Sequence, residues 1–382
     1  MSTRMGPRIR VLMVTGDWRW NSGRRPAVFI ARQVEFLRRA GVEVDLFSFR
    51  GAGQPWNYAL AWWEVRRRLN GGSYDLVHAQ FGQSGLTALP KRVPLVVTFR
   101  GDDLEGSLRE NGRYIPAGWL LRFIFRLVAR QADAAIVVSE HMKRYLPRSV
   151  PTHVLPSGID LELFRPEPRD EARRRLGLAE EQRLILFVGN PALARKRFAL
   201  AQRAVDIVNR SIPARLIVGW ELPHPDITAL MSACDVLVCT SMQEGSPDAV
   251  KEALACNLPV VAVRVGDVPV RLRGISGCEL CPDDRAETIA AALERVLRRS
   301  SPMDSRSAMK HLDERLLTQR LIDIYRSVLQ STRAGGRELE RRARPDHRPA
   351  DQRNRWPAIR EELVMKIVPG LPSSAGAGPV LS

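Results

Sequence analysis

Two glutamates eight positions apart, Glu244 and Glu252, bound the run Glu-Gly-Ser-Pro-Asp-Ala-Val-Lys-Glu, with apolar stretches before it (235–240) and after it (253–259). The pattern predicts a strand, a sharp turn and a helix. Gly245 permits the tight turn, Ser246 is placed to N-cap, and Pro247 stands where a first helical residue needs no N–H. Free amides at such a helix start, with the dipole behind them, suit an anionic or hydroxyl-rich ligand. Glu244 then lies on the loop and Glu252 nearly two turns into the helix, so one extended polar ligand reaches both. Taken alone, two glutamates at this spacing are also what a solvated helix surface carries.

The elements that must position this pair alternate along the chain. Residues 9–15 read as a buried strand, 27–40 as a helix with Phe29, Ile30, Val34 and Leu37 on one face, and 42–48 as a strand, a βαβ unit that makes a parallel sheet. Strands follow at 74–80, 94–99 and 134–139, the last of these, with a helix expected over 140–146, taken as the last strand and helix of the first domain. His78 on the first of these either lines a cleft or is a satisfied structural residue. The alternation resumes with strands at 184–189, 215–219, 235–240 and 259–263, giving a second doubly wound sheet whose ligands lie beyond the carboxyl ends of its strands. Asn190, Lys196 and Glu244 all fall there. Domain limits are expected at 1–160, 161–333 and a tail from 334 to 382, with a short helix at 357–367.

Of 382 residues 45% are hydrophobic, which suits two globular domains and excludes a mainly disordered chain. No run reaches the roughly 18 apolar residues of a membrane span, and 9–15 is too short for a secretory signal, so a cytoplasmic protein is expected. Five cysteines, mostly in apolar settings, suit reduced buried thiols, and the lone Cys278-Glu-Leu-Cys281 lacks the partners of a metal site. The net charge of +17 is uneven: residues 1–160 hold 24 Lys and Arg against 13 Asp and Glu, whereas 161–330 hold 25 against 23. A basic half beside a nearly neutral one suggests an anionic surface or acceptor meeting one domain only. The segment 56–68, with Trp56, Trp62 and Trp63 leading into Arg66, Arg67 and Arg68, and the helix 117–131, with Phe123 and Leu127 among Arg122 and Arg126, are either core-facing helices or contacts with an anionic membrane.

The Glu244–Glu252 run resembles the paired-glutamate signature of the retaining glycosyltransferases of family four, which have the GT-B fold, two facing Rossmann-like doubly wound parallel-sheet domains. By that resemblance Glu244, Gly245 and Ser246 face a donor sugar and Glu252 the nucleotide ribose. The segment Thr98-Phe-Arg-Gly-Asp-Asp-Leu104 is similar to the family's Thr-Phe-His-Gly-Ser-Asp-Leu, with Arg100 in the place of the histidine that approaches the reacting sugar. Arginine is no base at neutral pH but clamps a phosphate or carboxylate, and Asp102 is placed for an acceptor hydroxyl or as a cap. Gly23 stands for the glycine of the first loop. Lys196 sits at the position of the family's diphosphate lysine; Asn190 replaces its arginine, with Arg195 or Arg197 available to supply the charge.

The resemblance thus implies a two-domain enzyme with a disordered basic C-terminal tail. It would move a hexose with retention from a nucleotide diphosphate sugar to a glycan or lipid-linked glycan of cell-surface or exopolysaccharide synthesis, at the cytoplasmic face of a membrane. No metal and no cofactor are expected, because cations and helix-end amides meet the leaving diphosphate. Two alternatives stand beside it: a nucleotide-sugar epimerase or hydrolase using the same cleft, and a non-catalytic anion-binding or nucleic-acid-binding protein. The second lacks aromatics in RNA-binding patterns.

Overall fold

Runs of Val, Ile and Leu without polar alternation form strands buried on both faces. The computed structural model, which describes residues 8–16, 18–19, 25–51, 54–106, 116–299 and 303–343, contains two such sheets. The first has six parallel strands in the order Glu43–Ser48, Arg10–Thr15, Leu76–Gln80, Leu95–Phe99, Ala134–Val137 and Thr152–Val154. Alternate residues of the Arg10–Thr15 strand serve opposite layers. Val11 and Met13 share a core with Ile30, Val34 and Leu37 of the helix Val28–Arg39. Leu12 and Val14 share another with Ala61 and Val65 of Pro55–Gly71 and with Phe125 and Val128 of Pro116–Gln131.

The second sheet has five parallel strands in the order Ala214–Gly219, Arg183–Val188, Val236–Cys239, Val260–Ala262 and Glu279–Leu280. Its strand order reverses between Arg183–Val188 and Val236–Cys239, and a crevice opens at the carboxyl ends of such a pair. Lys196 and Glu244 lie on the segments leaving those two strands.

Three expectations change. Ala134–Val137 is not the last strand of the first sheet, because Thr152–Val154 pairs alongside it; its three residues are too few to show a period in sequence. The segment after Ala134–Val137 winds as a 3-10 turn, Glu140–Tyr145. The closing helix is Glu314–Ala343, so it continues past the expected start of the tail at 334. Gly23, the helix expected at 357–367 and the rest of 344–382 lie outside the described residues.

The closing helix returns to the first sheet, where the Tyr325 hydroxyl is 2.6 Å from His78 Nδ1 and Thr98 Oγ1 is 2.7 Å from Nε2. His78 is therefore a satisfied core residue. Burial, with Arg100 adding to it, pushes its imidazole down to about 3. An unfolded histidine titrates near 6.5, so the folded chain binds fewer protons between the two values. The contribution is fully present above about pH 6.5 and is lost as the pH falls toward 3. Tyr325→Phe should cost about 1–3 kcal/mol in urea unfolding at pH 7.5 by leaving a buried nitrogen unpartnered. Between pH 7 and 5 the parent should lose stability more steeply than His78→Gln; parallel slopes would contradict the assignment.

Candidate active site

The chain leaves the Val236–Cys239 strand, turns through the Glu244 segment and enters the helix Asp248–Ala255. Pro247 precedes this helix as its N-cap residue, and the first helical residue is Asp248. Ser246 is not the cap: its hydroxyl donates to Asp267 Oδ2 at 2.8 Å, an oxygen also bound by Arg271 Nε at 2.8 Å. A second loop thus competes for Ser246, and nothing near position 246 in the sequence shows it.

Cations arrive from the loop after Arg183–Val188. Lys196 Nζ lies 2.6 Å and Arg195 Nη1 3.1 Å from Glu244 Oε1, and backbone bonds fix the pairing: Met242 N donates to Arg195 O at 2.7 Å, and Thr240 Oγ1 to Lys196 O at 2.9 Å. Gly189, with φ +142°, lets the lysine stem cross its backbone; a Cβ there would stand 3.2 Å from Lys196 Cε. Asn190 does not face Glu244 with a charge. Its Oδ1 accepts from Ala192 N at 2.9 Å and shapes the turn. Of the two arginines that could supply the missing charge, Arg195 does so, while Arg197 turns to Thr240 O at 2.7 Å and to Asp284.

The first sheet meets this turn through the loop after Leu95–Phe99. A Cβ on Gly245 would lie 2.1 Å from the Arg100 carbonyl oxygen, so the two backbones touch where only glycine fits. Arg100 donates through Nη2 to Gln80 Oε1 at 2.7 Å and through Nη1 to Ser157 Oγ at 2.8 Å, with its carbon 4.3 Å from the Phe29 ring centre. Asp103 rather than Asp102 builds this loop, accepting from the amides of Gly82, Arg100 and Gly101. Asp102 opens the short helix Asp102–Glu105, and its side chain lies outside the description. A second bridge, absent from the sequence reading, runs from Gln243 Nε2 to Gly106 O at 2.7 Å; beside it Glu105 holds His141 at 2.9 Å.

Glu252 lies deeper, 8% exposed, and its partner is Arg32 of the Val28–Arg39 helix. Arg32 is 7% exposed and 3.4 Å from Glu252 Oε1, 3.3 Å from Glu314 Oε2 and 2.7 Å from Gly158 O. Next to it the fully buried Lys251 donates to Ser157 O at 2.8 Å and lies 2.7 Å from Asp248 Oδ1. Burial raises the Glu252 and Glu314 carboxyls above the usual range against the pull of Arg32. For Asp248 the burial works the same way, but Lys251 and Arg32 outweigh it and hold the carboxyl low. Sequence periodicity missed Arg32, whose partners lie far along the chain, and the burial of Lys251, which bonds Ser157 O 94 positions away as well as its helix neighbour Asp248.

The description Glycosyltransferase Family 4 matches residues 26–163, and Glycosyl transferases group 1 matches 185–299. The chain is 29% identical to a D-inositol 3-phosphate glycosyltransferase of Mycobacterium marinum, with 76% of this chain and 70% of the relative covered. It is 28% identical to D-inositol 3-phosphate glycosyltransferase 1 of Catenulispora acidiphila, covering 69% and 74%. Among solved structures it is similar to sucrose-phosphate synthase from Thermosynechococcus elongatus, at TM-score 0.71 and 17% identity over 85% of this chain and 100% of the other. It is also similar to Anabaena Alr3699/HepE in complex with UDP-glucose, at TM-score 0.62 and 17% identity over 84% and 100%. At those identities the likeness is one of fold, the GT-B arrangement of two parallel-sheet halves.

Gly245→Ala tests the contact between the halves. The added methyl must part the Arg100 carbonyl from the turn, at a cost of about 1–3 kcal/mol. Thermal unfolding should fall by several degrees, and an unchanged midpoint would show that the loops do not touch in solution.

Proposed function

The chain belongs to glycosyltransferase family 4, and from that membership we propose that it moves a hexose, with retention, from a nucleotide diphosphate sugar to a glycan or lipid-linked glycan acceptor. The observation that supports the donor site best is the approach of Lys196 and Arg195 to Glu244 at the reversal point of the second sheet. Two cations beside a helix start are what a diphosphate requires. Glu244 and the amides of Gly245 and Ser246 would take the sugar hydroxyls, and Glu252 the ribose.

In the transfer, the bond from the anomeric carbon to the diphosphate breaks and one to the acceptor oxygen forms on the same face. The acceptor proton passes to the departing phosphate oxygen. Negative charge grows on the diphosphate, and Lys196 and Arg195 stabilise it where it grows, which is how preorganised charges lower a barrier. No metal is needed in this scheme. Arg100 takes no proton; through Gln80, Ser157 and Phe29 it stiffens the loop that Gly245 meets.

A thermal-shift series with UDP-glucose, GDP-mannose and ADP-glucose, with and without EDTA, should single out one donor, and Glu252→Ala should lose that stabilisation. Equal stabilisation of both proteins would count against the ribose role. NMR of the product should show the donor's anomeric configuration kept. Rapid donor turnover without acceptor would favour the hydrolase alternative instead.

An anionic membrane is the proposed surface on which a lipid-linked acceptor is met. Among the described residues no helix is long and apolar enough to cross a membrane. The helices Pro55–Gly71 and Pro116–Gln131 share one core beneath the first sheet and leave Trp56 (81%), Leu60, Trp63, Leu120 and Phe123 exposed. Arg66 and Arg67 stand on the first helix and Arg122 and Arg126 on the second. Rings at headgroup depth with arginines around them bind anionic interfaces. Vesicles of phosphatidylglycerol and phosphatidylcholine should retain the protein at low salt and release it at high salt. Trp56→Ser with Trp63→Ser should cut retention severalfold, and retention that ignores both salt and the tryptophans would refute the assignment.

A further inference from the structure

Arg32 is rooted in the first half, on a helix remote in sequence from the Lys196 and Glu244 segments, yet its guanidinium ends on Glu252, the carboxylate assigned to the ribose. We propose that Arg32 is a positioning residue for donor binding, presenting the Glu252 carboxylate to the nucleoside from the opposite half of the protein. In this we build on the donor site proposed above.

The geometry supports an orienting role. Arg32 donates one short hydrogen bond, to Gly158 O at 2.7 Å, and stands in ion-pair range of Glu314 Oε2 at 3.3 Å and Glu252 Oε1 at 3.4 Å, so its fork is anchored at Gly158 while it faces Glu252. It engages only Oε1. Glu252 Oε2 bonds to no described residue, and the side chain keeps 11% of its surface open. A carboxylate held at one oxygen offers the other to a pair of hydroxyls in a fixed direction.

Arg32 also decides the charge. The groups around Glu252 are Asp248 and Lys251 on its own helix, Cys256 just after it and Arg32 from the first half; Glu314 at the start of the closing helix and His224 at the start of the helix His224–Ala233 face the same Arg32 and Asp248, with Arg100 further out. Burial and Asp248 favour the protonated form of Glu252, and Arg32 is the strongest of the cations opposing them. A protonated Glu252 would give up the charge-assisted half of its bonds to a ribose. Donor binding therefore requires that Arg32 be in place, which makes the site complete only when the two halves are together.

The test is donor affinity for UDP-glucose, GDP-mannose and ADP-glucose by calorimetric titration at pH 6, 7 and 8, with melting recorded at each pH. Arg32→Gln should weaken binding by roughly tenfold to a hundredfold. The loss should be larger at pH 6 than at pH 8, because removing the cation favours the protonated carboxyl. Arg32→Lys should restore most of the affinity and the parent's pH profile. A folded Arg32→Gln protein with the parent's affinity at all three pH values would overturn the proposal. Should Arg32→Gln not fold, Arg32→Lys decides: it keeps the charge but not the fork, so a donor affinity severalfold below the parent's, with the parent's pH profile, supports the proposal, and full parental affinity overturns it. Glu252→Ala distinguishes the two levels, since intact donor affinity there removes the ribose assignment itself, whatever Arg32 does.

Discussion

Buried charge must be neutralised, and here the neutralising groups come from opposite halves. Asp248 and Glu252 on one helix and Glu314 on another are met by Arg32 from the first half and Lys251 from the second. Removing one partner of a buried pair typically costs about 3–5 kcal/mol, because the other charge is left without water or a counter-ion. The arrangement is thus a weak source of stability and a strict specification of geometry. It fixes where the Val28–Arg39 helix sits against the Asp248–Ala255 helix, and with it the distance between the acidic turn and the loop of Arg100.

From that constraint the rest follows in layers. Gly245 and the Arg100 carbonyl touch because nothing larger than glycine separates the halves there. Lys196 and Arg195 reach Glu244 because the segments leaving two neighbouring parallel strands converge at the reversal of strand order. The closing helix, tied to His78 through Tyr325 and to the ion cluster through Glu314, links both sheets in one frame.

Much of this was legible in sequence. Unbroken Val, Ile and Leu runs marked nearly every parallel strand, since strands buried on both faces need no polar alternation. The Glu244 turn, and the approach of Lys196 to it, followed from the position of each at the carboxyl end of a strand. What was not legible depended on contacts between distant residues. Arg32 and Glu252 are 220 positions apart, so no local period records that an arginine on an apolar helix face has a buried partner. Ser246 looked like a cap because Ser-Pro before a helix usually is one, but Asp267, brought up by a separate loop, took its hydroxyl. Asn190 looked like a degraded arginine site and is a turn residue, its carbonyl spent on Ala192.

The most direct measurement is a crystal structure with the preferred nucleotide sugar bound. The account predicts diphosphate oxygens within about 3 Å of Lys196 Nζ and ribose hydroxyls at the same range from Glu252, with Arg32 still on the far oxygen of that carboxylate. A donor seated elsewhere, or a ribose with no contact to Glu252, would contradict it.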